Sequence, residues 1–463
     1  MRSIAIVGSG QVGLLAAHAL LKAGYKVTVY SDRTPEQWLN ASKPTGSAMR
    51  FDLSLQLEFG IGDLPSWRDK APLGQGLHMT LCRGAGNRML TLTGRTLKPF
   101  MAVDLRMQAY HWMQELSRRG GRLVIEDVSV ARLDEIAAEN DLTVVAAGKA
   151  ELGRVFERDA ERSVYDKPQR NLAMLCVKKA PLGFEGIPLL PLRLHTLINL
   201  GETFWIPYYH KDAGPGWNLV FESKPGGPMD RFKEATSGDQ ALEIGKKLVR
   251  EFLPWDYEWI KNAELADPHG WLVGKFPPTV RKPVGVLPSG RLVTPLGDTA
   301  MALDPIGGQG ANNGNKMARN LVESIIARED RPFDAQWMTE TFETFWVRHG
   351  HPTYTFNNML LEPPTAGMVE LFLAQYGSDG RPDNDSTQQV LANAFIENAN
   401  DPALLTYILQ DRRRTQEYLK KVTGRSWVRS VAGGALGVIR EEFRQWRGLE
   451  PRHPLVPVQK VAA

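Results

Sequence analysis

Ser3-Ile4-Ala5-Ile6-Val7-Gly8-Ser9-Gly10-Gln11-Val12-Gly13 is an apolar run that stops abruptly at a glycine-punctuated turn. The run reads as a buried strand, Gln11 to Ala23 as a helix closed by Gly24, and Lys26 to Tyr30 as a second strand, which together predict a βαβ unit with a parallel sheet. The turn matches G-x-G-x-x-G. Gly8 permits the tight turn, Gly10 lets a pyrophosphate approach the backbone, and Gly13 lets helix and strand pack closely. Gln11 and Val12 open the helix, whose N-terminal N–H groups face the phosphates, so these five residues are candidate cofactor ligands. An acidic residue is expected at the end of the second strand, to bond a ribose. Ser31 stands where it is usual, so Asp32, followed by Arg33, becomes the candidate.

A second loop separates FAD from NAD. Gly297-Asp298 closes a strand at Leu292 to Leu296, and Asp304-Pro305-Ile306-Gly307-Gly308-Gln309-Gly310-Ala311-Asn312 leads into a helix running to Ala327. Asp298 can accept hydrogen bonds from ribityl hydroxyls. Pro305, Gly308, Gln309, Gly310, Ala311 and Asn312 would bring a helix N-terminus against the flavin ring and favour negative charge on its reduced form. Gly297 completes this set.

Between the two loops, Asp104 to Arg119 has helical periodicity, and Arg122 to Ile125 and Leu142 to Ala146 read as further strands of the first sheet. From the second strand to about residue 100 the signals are mixed and rich in Gly and Pro. Pro-punctuated short strands such as Phe204 to Tyr208 and Trp217 to Glu222 mark a mostly antiparallel subdomain. The expected fold is α/β: a discontinuous Rossmann-like FAD-binding domain over 1–165 and 281–330, an inserted substrate domain over 166–280, and a C-terminal helical region over 331–463. In that last region Leu436, Ile439, Phe443 and Trp446 share a stripe, flanked by Arg440, Arg444 and Arg447. A helix packed on the body or on a second subunit fits it, which leaves a homodimer open.

The 463 residues, 43% hydrophobic and 23% charged, suit a globular protein of two or three structural units. Two cysteines supply neither a disulfide framework nor a zinc site, and the short N-terminal apolar run is neither a leader core nor a membrane span, so a cytoplasmic enzyme is expected. The net charge of +4 is local: between Asp411 and Arg452 stand 11 Lys/Arg and 5 Asp/Glu. The main body is then near neutral, and no nucleic-acid surface is implied. No triad and no metal-ligand spacing stands out, and His349 and His351 lack a matching ligand set, so no metal is expected.

With both loops in view, the chain resembles the flavoprotein monooxygenases of the aromatic-hydroxylase fold. Ala102-Val103-Asp104-Leu105-Arg106, the segment Asp141 to Lys149, and Val155-Phe156-Glu157-Arg158 leading to Lys167-Pro168-Gln169-Arg170 narrow the resemblance, over residues 1–330, to styrene and indole monooxygenases. The resemblance implies a role for Arg106 beside the FAD diphosphate. It implies oxygen activation on reduced FAD as a flavin hydroperoxide, and epoxidation or hydroxylation of a small aromatic substrate by O2. Single-component hydroxylases carry Asp-Gly where this chain has Ala147-Gly148, a pair that stays in the cofactor set, and no second nucleotide loop for NAD(P)H is evident. A separate NAD(P)H:flavin reductase is therefore implied. Thr45 to Phe51 aligns with the segment lining the flavin's active face. Gly46, Ala48 and Arg50 replace the Asn, Val and His of styrene-type members, implying a roomier substrate site with a cation near it, unless Arg50 holds a FAD phosphate.

Two other readings fit the fold. Phe204-Trp205-Ile206-Pro207 matches the end of the halogenase W-x-W-x-I-P motif, but Glu202 and Phe204 stand where its tryptophans belong. A flavin-dependent dehydrogenase or reductase, or a flavin-binding protein without oxygenase activity, is the alternative from another class.

Overall fold

The computed structural model describes residues 2–449. Its first sheet has six strands in the order Gly285–Val286, Leu292–Pro295, Leu142–Val145, Ser3–Val7, Lys26–Ser31, Arg122–Ile125. Ser3–Val7 pairs in parallel with both neighbours, with Ile6 opposite Val29 on one side and Val144 on the other. Buried on both faces, these strands need continuous apolar runs, which is the pattern of Ile4 to Val7 and Val27 to Tyr30. The Gln11–Lys22 helix and the Gly310–Arg328 helix cover one face together, and Gly314 lets them approach so closely that a Cβ there would collide with Val12. The late return of the chain to this sheet, expected from Leu292 onward, brings the two cofactor loops side by side.

The second sheet has eight strands and is antiparallel except where Gly74–Gly84 runs beside Pro191–Leu197. Its composition differs from the expected boundary. The Gly74–Gly84 and Asn87–Phe100 hairpin, assigned by sequence to the 1–165 segment, joins the strands of the 166–280 insertion. Thr-rich, half-alternating segments such as Thr91-Leu92-Thr93 carry a weak apolar signal, and only pairing across a distant crossover shows their sheet. The outer face packs under the Gly238–Phe252 helix, where Gly245 permits contact with Leu175 and Phe221. The inner face, including Phe204, Ile206 and Val220, turns toward the 304–308 loop.

Residues 331–449 are largely helical, as expected. The Thr387–Glu397 helix lies on the Asn87–Phe100 strand at Gly94, and the Trp427–Trp446 helix packs through Gly434 and Gly437 on Leu373 and Tyr376. The apolar stripe read from the sequence is on the opposite side. Leu436, Ile439, Phe443 and Trp446 are exposed, because small residues rather than large ones let this helix approach the body. Arg452 and the other residues after 449 lie outside the described residues. Among the described residues no helix is long and apolar enough to cross a membrane.

Candidate active site

Each glycine of the first loop meets a different demand. Gly8 has φ +123°, and a Cβ there would collide with the Ala146 carbonyl of the neighbouring strand. A Cβ at Gly13 would strike the Gly8 carbonyl, so only glycine lets the helix sit this low on the turn. Gly10, the N-cap of the Gln11–Lys22 helix, has open space where a Cβ would stand. This is the surface onto which a diphosphate fits, at the positive end of the helix. Gln11 turns its side chain inward, donating to Asn315 Oδ1 at 2.9 Å, so its own contribution to a cofactor is its backbone.

Ser31 explains the displaced acid. It is buried, 2.6 Å from the Ser9 hydroxyl, which also accepts from Trp38 Nε1. A glutamate would not fit this neutral hydroxyl network. Asp32 instead stands exposed one residue on, paired with Arg33 at 2.8 Å.

At the second loop Gly297 has φ +63° and backs onto Val12, joining the two motifs. Asp298 lies in a recess: its surface is accessible, yet enough protein surrounds it to push its carboxyl above the usual range, with Arg281 pulling the other way. Among the described residues its carboxylate accepts no hydrogen bond, while Arg281 donates to the backbone carbonyls of Asp298 and Thr299. An acidic side chain left without a donor beside a nucleotide-type turn fits a polyhydroxyl chain such as a ribityl group. Ala147 and Gly148 border the same recess. The Ala147 carbonyl accepts from Thr299, and Gly148 has open space at its Cβ position.

The 304–312 loop is stiff. Gly308 is left-handed at φ +63°, Pro305 starts a short 3-10 turn capped by Asp304, and Gly310 opens the long helix with nothing at its Cβ position. Gln309 and Asn312 hold the loop rather than face a ligand with their side chains. Gln309 Nε2 donates to the carbonyls of Gly307 and Ala399. Asn312 Nδ2 donates to Met49 and Gly308, and its Oδ1 accepts from Phe51 N–H. Ala311 is half-buried beside them.

Against this loop lies an apolar cavity of about 90 Å³. The second sheet supplies Leu192, Leu194, Phe204, Ile206, Val220 and Glu222 as part of its wall, and Pro305 to Gly308 close one end. Phe356, Leu360, Phe395 and Ile396 come from C-terminal helices, and Ala399 from the turn after the second of them. Their contribution was not legible in the sequence, since these are ordinary core residues of amphipathic helices until the fold brings them to the loop.

Two arginines correct the sequence reading. Of the 45–51 segment, the cavity takes Ser47, Met49 and Phe51, not Gly46, Ala48 and Arg50. The segment is extended around the Arg50–Met101 bridge, so neighbouring residues face opposite ways, and the expected set is out of phase by one. Ala48 has φ +47° and is buried, and Gly46 has open space beside it. Arg50 is fully buried, 2.8 Å from Glu58, and donates to the Ala48 carbonyl at 2.6 Å. Burial pushes the Glu58 carboxyl up, while Arg50 and a hydrogen bond from Asn315 act against it. The cation is thus inside the protein body and does not line the cavity.

Arg106, expected at the diphosphate, is likewise buried and committed. Its guanidinium spans Asp104 at 2.7 Å and Asp267 at 2.8 Å, and also donates to the Ser42 carbonyl. Helix start and distant strand loop converge here, a pairing the spacing of Arg106 could not reveal. His210 Nδ1 accepts from the N–H groups of Asp212 and Ala213, which puts its proton on Nε2, 2.6 Å from Asp267. Burial alone would raise the Asp267 carboxyl, but His210 and Arg106 outweigh it and hold it far below the usual range. His210, Asp212 and Asp267 lie close enough to share a cation, and Arg106 already meets that charge.

The fold and this site are those of a flavoprotein: a glycine turn opening a helix, a recessed acid at Asp298, and an apolar cavity ending on the second glycine loop. Solved structures agree in fold at low identity. The chain matches a flavoprotein/dehydrogenase from Cytophaga hutchinsonii with TM-score 0.57 at 15% identity, covering 88% of this chain and 99% of that one. It matches the flavin-dependent halogenase CmlS with TM-score 0.57 at 14% identity, covering 96% and 78%. For 2-methyl-3-hydroxypyridine-5-carboxylic acid oxygenase the TM-score is 0.54 at 16% identity, covering 78% and 90%.

Sequence relatives are narrower. The chain is 31% identical to styrene monooxygenase StyA of Pseudomonas fluorescens over 335 residues, 70% of this chain and 78% of that protein. A StyA from Pseudomonas sp is 30% identical over the same shares. Residues 148–259 match the family described as "Styrene monooxygenase A putative substrate binding domain". The chain belongs to the styrene monooxygenase family, and its cofactor is a flavin. Trp205, at a variable position of the halogenase motif, is buried in the sheet core and donates to Asp256.

Proposed function

We propose that this chain is the oxygenase component of a two-component monooxygenase, working in the cytoplasm, that receives reduced FAD from a separate NAD(P)H:flavin reductase and uses O2 to epoxidise or hydroxylate a small aromatic or apolar substrate. The observation that carries the reading is the apolar cavity closed at one end by Pro305 to Gly308, the loop that starts the helix of the second cofactor motif. A molecule in that cavity lies against the part of the loop to which a flavin ring fits. The bound reduced flavin supplies the oxygen activation. The protein's own residues bind, orient and exclude water. Gly8, Gly10 and Gly13 with the first helix N-terminus would hold the diphosphate, Asp298 the ribityl hydroxyls, and the backbone N–H groups after Gly308 the negative charge of the reduced ring. Met49, Phe51, Phe204 and Ile206 keep the cavity dry, which limits hydrolytic side reactions.

A separate reductase is supported by the architecture. Among the described residues the one parallel βαβ unit with a glycine turn is that of the first sheet, and Ala147 offers no carboxylate to a nicotinamide nucleotide. The test is consumption of NAD(P)H. The chain alone should oxidise it no faster than a blank, and a general flavin reductase plus FAD should start aromatic oxygenation. Rapid NAD(P)H oxidation by the chain alone would favour the dehydrogenase reading instead.

A further inference from the structure

Glu222 breaks the pattern of the wall it stands in. On the Gly214–Ser223 strand, alternation puts Val220 and Glu222 on the inner face, beside Phe204 and Ile206 of the next strand. Every other side chain this sheet gives to the cavity is apolar. Glu222 is nonetheless fully buried, lines the cavity, and neither of its carboxyl oxygens receives a hydrogen bond from an N–H or O–H group. A buried acceptor left unsatisfied costs about 1–3 kcal/mol, so a cavity that only needed to hold a hydrocarbon would be better served by leucine.

Its neighbours do not satisfy it. The Arg170 guanidinium is claimed by Glu202, at 2.7 and 3.1 Å, and by the Gln169 carbonyl. The remaining polar neighbour is a second acid, Asp304, which caps the loop at the end of the cavity and accepts from Ile306 N–H at 3.2 Å. Two carboxyls in contact hold together by sharing a proton. Burial, then the charges of Asp304 and Glu202, push Glu222 well above the usual range, and burial raises Asp304 to about 6. The proton therefore belongs on Glu222 and points to Asp304, which leaves the other Glu222 oxygen as a free acceptor.

We propose that Glu222 is a specificity-determining residue of the cavity, whose carboxyl accepts a hydrogen bond from an N–H or O–H group carried by an aromatic substrate. The proposal rests on the aromatic-substrate reading above and adds the polar feature the substrate must carry. Asp304 is a positioning residue in it, fixing the Glu222 carboxyl from the cofactor loop.

Indole and indene are near-isosteric and differ in the ring N–H, so they isolate the effect. Binding of each to the full chain, with FAD present, can be measured by calorimetry. The wild-type protein should prefer indole by about tenfold, the effect of one well-placed hydrogen bond in a low-dielectric site. Glu222→Leu should bring the two affinities within about twofold, and Glu222→Gln, which keeps a carbonyl acceptor, should retain most of the preference. Equal affinities in the wild-type protein would overturn the proposal even if the Leu variant failed to fold, and so would an undiminished preference in Glu222→Leu. Tight binding of both ligands with no preference would sink the role of Glu222 alone. Binding of neither would remove the aromatic-substrate reading and the proposal with it.

Discussion

At the cofactor edge of the site the decisive residues are those without side chains, whereas at the substrate edge the side chains decide everything. Gly8 and Gly13 are required because backbone of the same turn and its neighbouring strand fills the space a Cβ would take, whereas at Gly10 that space is open. All three positions lie within a few residues of one another. The cavity, in contrast, draws its wall from the 47–51 segment, the second sheet, the 305–308 loop and elements of the C-terminal helical region. A site that is local in sequence tolerates little change and reads easily. One that is assembled from distant segments can change its occupant by single substitutions without disturbing the fold.

The contrast can be broken most sharply at the glycines. Gly13→Val should cost about 3 kcal/mol or more in stability, since the new side chain meets the Gly8 carbonyl in a turn that cannot shift without the sheet. Gly10→Ala should leave the melting temperature of the flavin-free chain nearly unchanged and weaken FAD binding. Thermal unfolding and FAD titration on both variants check this. Equal loss of stability in the two would show that Gly10 is structural as well.

Arg50 comes next in size. Arg50→Ala leaves Glu58 buried without its counter-ion, which typically costs about 3–5 kcal/mol, whereas replacing both residues by methionine should recover most of the stability. If Arg50→Ala were as stable as the parent and instead altered substrate preference, the cation would belong to the substrate edge after all.

Asp298→Ala should weaken FAD binding by about 1–3 kcal/mol, the range for charge-assisted hydrogen bonds, with no change in the unfolding of the flavin-free chain. Unchanged affinity in equilibrium dialysis would take the ribityl role away from this residue. The smallest expected effect is at the substrate edge. Ala399→Leu adds bulk to the cavity from the turn after the Thr387–Glu397 helix, and should lower turnover of a one-ring substrate about tenfold while raising the share of oxygen lost as hydrogen peroxide. Unaltered turnover and coupling would exclude that segment from the cavity wall.

The same contrast explains what could be read before the structure. Strand, glycine turn and helix at 3–22 are adjacent in sequence, and their periodicities switch where the elements do, so the parallel unit and its loop were legible. The return at Leu292 was legible for the same reason. The 45–51 segment was found but assigned the wrong parity, because a short extended run with glycine, serine and alanine has no apolar alternation to fix which side faces inward. The apolar character of Met49 and Phe51 was the signal available. Arg106 was read through family likeness alone, and the acid it pairs with, Asp267, comes from a loop 161 residues away that spacing could not reveal. Glu222 left a trace, an acid two residues beyond the inward-facing Val220, and its meaning needed the cavity.

Oxygen incorporation from reduced flavin is the most direct measurement. The full chain, supplied anaerobically with FAD reduced beforehand by light or dithionite and with an aromatic substrate such as indole or styrene, is mixed with 18O2 in the absence of any nicotinamide nucleotide. One atom of label should appear in the product, in a yield that falls when Asp298 is replaced by alanine at limiting FAD. Reoxidation of the flavin with hydrogen peroxide as the sole oxygen product, across substrates shown to bind, would contradict it.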